Sequence, residues 1–175
     1  MISINSLNVN EKKVEFALVS RRSALHAGTR FNVRGTDEEG NPANFVETEQ
    51  ILVCMDVKCS YVQLRGSIPL YWTQKTNLKY KPAIKIDHAK NHTDVFQKHA
   101  QKYLATYEGK VMINLINQHG MEGNLEKAFS ETWKLSNDPS IKYEFFDFHK
   151  QCGKDKWDRL SILINRLAND QDTFG

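Results

Sequence analysis

The sequence predicts a mixed α/β fold, antiparallel in its first half and alternating helix with strand in its second, and three observations predict it. Runs of β-type residues in the first seventy positions are separated by turn-forming Gly, Asn, Asp and Pro. From about Asn91 the apolar residues change to helical spacing, at Phe96, Ala100, Tyr103, Leu104 and Tyr107. Two short apolar runs, Val111 to Ile116 and Ile141 to His149, then alternate with helical patterns, as in a largely parallel sheet built by crossovers.

Taken in order, Val14 to Val19 reads as a first strand ending at the polar corner Ser20-Arg21-Arg22-Ser23. Thr29 to Gly35 and Ala43 to Val53 flank the turn-rich Asp37-Glu38-Glu39-Gly40-Asn41-Pro42 and predict a hairpin. On a strand Arg30 and Arg34 would share one face, within reach of Glu47 or Glu49 across that hairpin. Cys59 to Ser67 reads as a further strand, Ile68 to Trp72 as a short apolar segment, and Asn77 to Pro82 as a basic loop holding Tyr80. The first helix has Asn91 or Thr93 available as a cap and Gly109 as a stop. Val111 to Ile116 reads as a strand buried on both faces. A second helix follows through Leu125, Ala128 and Phe129, broken at Asn137-Asp138-Pro139, and a third through Trp157, Leu160, Leu163, Ile164 and Leu167.

Composition bounds the rest. A hydrophobic fraction of 40% and a charged fraction of 26% over 175 residues are those of an ordinary globular chain. No apolar run approaches the roughly 18 residues of a membrane helix. Cys54, Cys59 and Cys152 make an odd count without a framework spacing, which points to reduced thiols. A net charge of +3 is compatible with an anionic partner without requiring one, and no nucleic-acid motif accompanies it.

Chemistry is expected beyond the carboxyl ends of parallel strands. Two such ends are visible, Asn117-Gln118-His119-Gly120 and Asp147-Phe148-His149 with Gln151 and Cys152. If the strands are parallel, His119 and His149 share one edge; the plainer alternative is that Asp147 caps a helix or turn and His149 lies at the boundary. Neither His88 with His92 nor His149 with Cys152 brings further ligands at zinc spacing, so no metal and no cofactor are expected. Cys59 and Arg65 satisfy a cysteine-phosphatase spacing. The intervening Ser60-Tyr61-Val62-Gln63-Leu64 favours strand over the tight loop that such a nucleophile requires, so the match is read as accidental.

Ser20-Arg21-Arg22-Ser23, Ala27-Gly28-Thr29-Arg30, Arg34-Gly35 with Asp37 and Gly40, and Ala43 to Gln50 resemble the Sac-domain phosphoinositide phosphatases. So do Val62 to Pro69 with Trp72, Asn77 to Pro82, and Phe146-Asp147-Phe148-His149 with Cys152. Asn77 to Pro82 and the last of these are most similar to the branch at endoplasmic reticulum and Golgi membranes. His26 departs from the arginine that many members carry. The resemblance implies a partial cysteine-phosphatase-like domain acting on phosphatidylinositol phosphates, chiefly the 4-phosphate, through a cysteinyl-phosphate intermediate. It implies that residues 1–19 are the remnant of an N-terminal subdomain plus the first strand. Residues 20–175 would be the first part of the catalytic domain, ending before the cysteine-to-arginine loop, so that the rest of the domain is needed for activity. The partners implied are a phosphoinositide lipid and the cytosolic surface of those membranes. Arg30, Arg34, Asn44, Glu47, Asp147 and His149 are then expected to order the surroundings of a site completed elsewhere, and Lys79 and Lys81 to meet headgroups. A non-catalytic module for anionic lipid headgroups is the alternative.

Overall fold

The computed structural model describes residues 1–29, 32–75, 82–107 and 110–174. Its first half is an antiparallel meander of four strands, β1 (Ile2–Val9), β2 (Lys12–Arg22), β3 (Val46–Cys54) and β4 (Val57–Arg65), paired in that order. β1 and β2 are joined by Asn10 and Glu11, both with positive φ, which matches the turn to the right-handed twist of the strands. The two pair from Ile2 opposite Val19 to Val9 opposite Lys12, so residues 1–19 share one sheet with β3 and β4.

Register assigns every strand residue to a face. Ile4, Ala17, Ile51 and Ser60 lie in one row, and Asn5, Phe16, Leu52 and Cys59 in the adjacent row on the opposite face. No residue of the four strands is buried. β1 forms one edge of the sheet and carries neither a charged residue nor a proline.

The hairpin expected across Arg34 to Gln50 is corrected by the structure. β2 ends at Arg22 and β3 starts at Val46, and among the described residues between them an isolated bridge of Thr36 with Pro42 stands in place of a strand pair. The reason is local. Asp37 accepts hydrogen bonds from the backbone N–H groups of Glu39 and Asn41 and from the Asn41 amide, so residues 37–41 fold back on themselves. Gly35, at φ +71°, turns the chain against the backbone oxygens of Leu70 and Trp72.

The second half holds the core. β5 (Trp72–Thr73) and β6 (Lys85–Ile86) form a minimal antiparallel pair. α1 (His92–Leu104) starts where the Asn91 side chain accepts from the Asp94 N–H, and it buries Val95, Phe96, His99 and Ala100. β7 (Lys110–Asn114) and β8 (Ile141–Phe145) are parallel, linked by α2 (Gly120–Ser136), which ends at Asn137 in the left-handed region. α3 (Phe148–Cys152), a 3-10 turn at Trp157–Arg159 and α4 (Leu160–Phe174) complete the chain. Leu70, Trp72, Phe96, Ala100, Leu125, Phe129 and Ile141 form one cluster, in which Phe129 meets the rings of Phe96 and Tyr143 edge-on. Burying a side chain such as Phe96 or Leu125 contributes roughly 1.5–3 kcal/mol.

Two further expectations are corrected here. β7 is covered on the α2 side and open on the other, where Ile113 is 42% exposed. α4 reaches the sheet through β8, by the ion pairs Lys142–Asp170 and Arg166–Glu144. β8 also ends before His149, because Asp147 caps α3 by accepting the Lys150 N–H.

Candidate functional site

Two groups of polar side chains are organised well enough to carry function. The first lies where β2 and β3 leave the sheet for the long connection. Pairing β2 with β3 sets Arg21 directly opposite Glu47 and diagonal to Glu49. The guanidinium takes both carboxylates, Nη1 at 2.6 Å from Glu47 Oε1 and Nη2 at 2.8 Å from Glu49 Oε2. The hydroxyl of Tyr107, just beyond α1, donates to the second oxygen of Glu47 at 3.1 Å, and Ser60 donates to Glu49 at 3.0 Å. The hydrogen bond from Arg21 and that from Ser60 hold the Glu49 carboxyl below its usual range. Tyr107 is shifted up by burial and by its bond to the Glu47 carboxylate.

Glu47 and Glu49 are thus held by Arg21, and Arg34, expected to pair with one of them, turns to Gln74. Arg30 lies outside the described residues. Arg34 is half-buried, donates to Gln74 Oε1 at 2.8 Å and places its guanidinium 5.4 Å from the centre of the Trp72 ring. Asn44 sits at φ +56°, a conformation that asparagine tolerates. Its amide donates to Val33 O at 3.0 Å while its oxygen accepts from Arg22 at 3.0 Å, and Arg22 also donates to Gly28 O at 2.6 Å. Arg22 and Asn44 therefore clamp the two ends of the connection together.

The turn within that connection is locked onto α1. His99 Nδ1 lies 3.1 Å from Gly40 O, Lys102 donates to the side-chain oxygen of Asn41, and a Cβ on Gly40 would stand 2.6 Å from the His99 backbone nitrogen. Burial opposes the charge on Asp37, but the Asn41 amide and the backbone N–H groups outweigh it and hold its pKa low. Tyr103, stacked on Phe45 with centroids 4.9 Å apart, is pushed up to about 12 by burial and by the Glu47 charge.

The second group gathers at the carboxyl ends of β7 and β8, where parallel pairing brings both predicted strand ends to one edge. Asp147 is buried and joins them: Oδ2 accepts the Gln118 N–H at 3.1 Å and Oδ1 accepts the Lys150 N–H at 2.9 Å. Burial works against its charge, and the two backbone donors outweigh that, so its pKa lies below the usual range. His119 stands at the start of α2 and His149 in α3, both at the surface end of this edge. A cleft of about 220 Å³ opens beside them, lined by Gln118, Phe146, Asp147, Lys150, Gln151 and Arg166. A larger cleft, about 390 Å³ between β6 and α2, contains none of the predicted site residues.

Cys54, Cys59 and Cys152 are free thiols. Cys59 and Arg65 lie six residues apart along β4, which separates them by about 20 Å, so they do not converge on one phosphate. Among the described residues no three His, Cys, Asp or Glu side chains gather to hold a metal ion. No helix among them is long and apolar enough to cross a membrane. Lys79 and Lys81 lie outside the described residues.

Residues 1–153 match the family of the SacI homology domain. The chain is 47% identical over 174 residues to a protein of Danio rerio named phosphatidylinositol-3-phosphatase SAC1-B, covering 99% of this chain and 30% of that protein. It is 42% identical over 174 residues to the Drosophila melanogaster protein named phosphatidylinositol-3-phosphatase SAC1, covering 99% and 29%. With the Saccharomyces cerevisiae protein of the same name it shares 38% over 165 residues, covering 91% and 26%. The chain thus spans about three tenths of the length of the curated relatives it matches. On that match and those identities, this chain belongs to the SacI homology domain family of phosphoinositide phosphatases.

Proposed function

We propose that this chain is the framing part of a phosphoinositide phosphatase, acting on the cytosolic face of endoplasmic reticulum and Golgi membranes. The observation that carries the reading is the family match across residues 1–153. The enzyme would cleave a phosphate monoester of a phosphatidylinositol phosphate, chiefly the 4-phosphate. A cysteine thiolate attacks phosphorus, the inositol oxygen departs with a proton, and water then hydrolyses the cysteinyl phosphate. The attacking loop would belong to polypeptide other than these residues, a reading supported by the position of Cys59 on extended strand far from Arg65.

Arg34, Asn44 and Glu47 would order the β2–β3 connection around that loop, with Arg30 in the same stretch. Asp147 would fix the strand ends and His149 would stand beside them. Lys79 and Lys81 would meet headgroups. Arg34, Asn44 and Glu47 are each already held by neighbours, as an ordering role requires.

The test is phosphate release from the 3-phosphate and the 4-phosphate of phosphatidylinositol. The 175-residue chain is expected to release none, and a polypeptide extended through the cysteine loop to prefer the 4-phosphate. The names of the relatives point to the 3-phosphate, so a preference for it would correct the selectivity. Release by the 175-residue chain that disappears in Cys59→Ser would overturn the division of labour.

A further inference from the structure

Tyr71 is the point where separate stretches of chain meet. Its neighbours Leu70 and Trp72 belong to the core, and Leu70 O accepts the Thr36 N–H of the β2–β3 connection at 3.1 Å. Tyr71 O accepts the Asp87 N–H at 2.9 Å, beside the pairing of Trp72 with Ile86. Its own N–H goes to an imidazole: His92 Nδ1 accepts it at 3.2 Å, with the two rings tilted and 5.8 Å apart. Lys90 Nζ lies 4.5 Å from the centre of the Tyr71 ring, and the same ammonium pairs with Glu38 of the 37–41 turn at 3.3 Å.

The contact from His92 exists in one protonation state only. A backbone N–H is a donor, so Nδ1 must be bare, and a proton there sets donor against donor. His92 is also the first residue of α1, where unpaired N–H groups and the helix dipole disfavour a cation. Charged and titratable groups surround the His92–Tyr71 pair: His88 and Asp87 from the preceding loop, Lys90 over the tyrosine ring, Glu38 from the connection, and Asp94 with its partner Lys98 from α1. Burial and then His88 oppose a proton on His92, against the backbone and carboxylate of Asp87, which favour it.

We infer that His92 is a proton-operated latch between α1 and the Tyr71 segment. Neutral, it holds the first turn of the helix against Tyr71. On taking up a proton it swings off, the 87–93 stretch loosens, and Lys90 leaves both the Tyr71 ring and Glu38. The core behind it stays in place, because Phe96 and Ala100 lie further along α1. The 37–41 turn thereby loses one of its ties to the rest of the chain, and the opening is local. The inference is independent of the phosphatase reading.

Amide exchange and NMR of the 175-residue chain at neutral and mildly acidic pH test it. Once the intrinsic pH dependence of exchange is removed, opening at the Tyr71 amide should rise roughly ten-fold by about pH 5.5, one unit below the ordinary histidine value. That opening should not respond to low concentrations of urea, whereas exchange at Phe96 should, since only the second requires global unfolding. Lys90 side-chain protons, shifted by the Tyr71 ring at neutral pH, should lose that shift with the midpoint of the His92 ring. In His92→Gln, whose amide oxygen accepts the same N–H and takes up no proton in this range, neither Tyr71 nor Lys90 should respond to pH. His88→Gln should keep the response.

A Tyr71 amide whose corrected exchange is flat across this range would overturn the inference. So would an acid-induced opening as sensitive to urea as exchange at Phe96, which makes the event global unfolding. A response that survives in His92→Gln, or vanishes in His88→Gln, assigns the proton to another group and overturns it as well. Should His92→Gln fail to fold, the wild-type urea comparison and the match of the Lys90 shift to the His92 ring titration decide the question.

Discussion

Arg21 and Glu47 face each other across neighbouring strands, and the guanidinium reaches past Glu47 to Glu49 as well. Because Arg21 is more than half exposed, the cluster is screened by solvent and salt. Arg21→Ala should therefore lower Tm slightly at low ionic strength, and the difference from wild type should vanish in high salt. A large, salt-independent loss would show that Arg21 orders the β2–β3 connection through packing. The sign with pH follows from Glu49, whose folded pKa is depressed: its contribution is complete above the ordinary value of 4.5 and is lost as pH falls through the folded one.

Asp147 ties two loops with one carboxylate, so its removal leaves two backbone N–H groups without their acceptor. Asp147→Ala is expected to cost roughly 2–4 kcal/mol, the sum of a lost helix cap and an unsatisfied buried donor. Asp147→Asn, which keeps one acceptor, should cost less. Urea unfolding at neutral pH measures both. Since the Asp147 pKa is lowered on folding, the gap between wild type and Asp147→Ala should narrow as pH falls below about 4.

His92 supplies a pH signature in a higher range. Its Nδ1 lies 3.2 Å from the Tyr71 backbone nitrogen, and accepting that N–H requires the ring to be neutral there. Burial, reinforced by the nearby His88, lowers its pKa from 6.5. The unfolded chain then takes up a proton that the folded chain refuses. Stability should be constant above about pH 6.5 and decline as pH drops below it. A His92→Leu variant should lose that slope in a pH series of Tm values. A slope unchanged in the variant would assign it to another group.

Gly40 stands at φ +78° with the His99 backbone against the position of its missing Cβ. Gly40→Ala combines a left-handed conformation with a clash against helix backbone, and should cost more than about 2 kcal/mol. Denaturant midpoints measure it. A near-neutral result would mean that the 35–42 turn moves off α1 without penalty.

Part of the fold is legible in the residues alone. α1 is readable because Phe96 and Ala100 repeat at helical spacing against one core and Asn91 supplies a cap. The parallel pairing of β7 and β8 follows from the helix between them. β1 is not legible, because Ile2 and Ile4 point to one face while Leu7 and Val9 point to the other; with neither face covered, nothing imposes a single two-residue phase. The Arg21 pairing is hidden for a different reason. It depends on register across a connection of more than twenty residues, and the Asx-type turn at Asp37 replaces the hairpin that would have placed Arg34 there instead. The extent of β8 is misleading because Phe145, Phe146 and Phe148 continue an apolar run through Asp147, whose cap starts a helix inside it.

Among the described residues no strand pairs with the outer edge of β1, and that edge has a practical consequence of its own. A strand with outward-facing N–H and C=O groups, eight residues long and without charge or proline, is a template for further strands. Concentrated solutions of this chain should accordingly grow assemblies edge to edge, and one lysine at the middle of that edge, Ser6→Lys, should keep the protein dispersed.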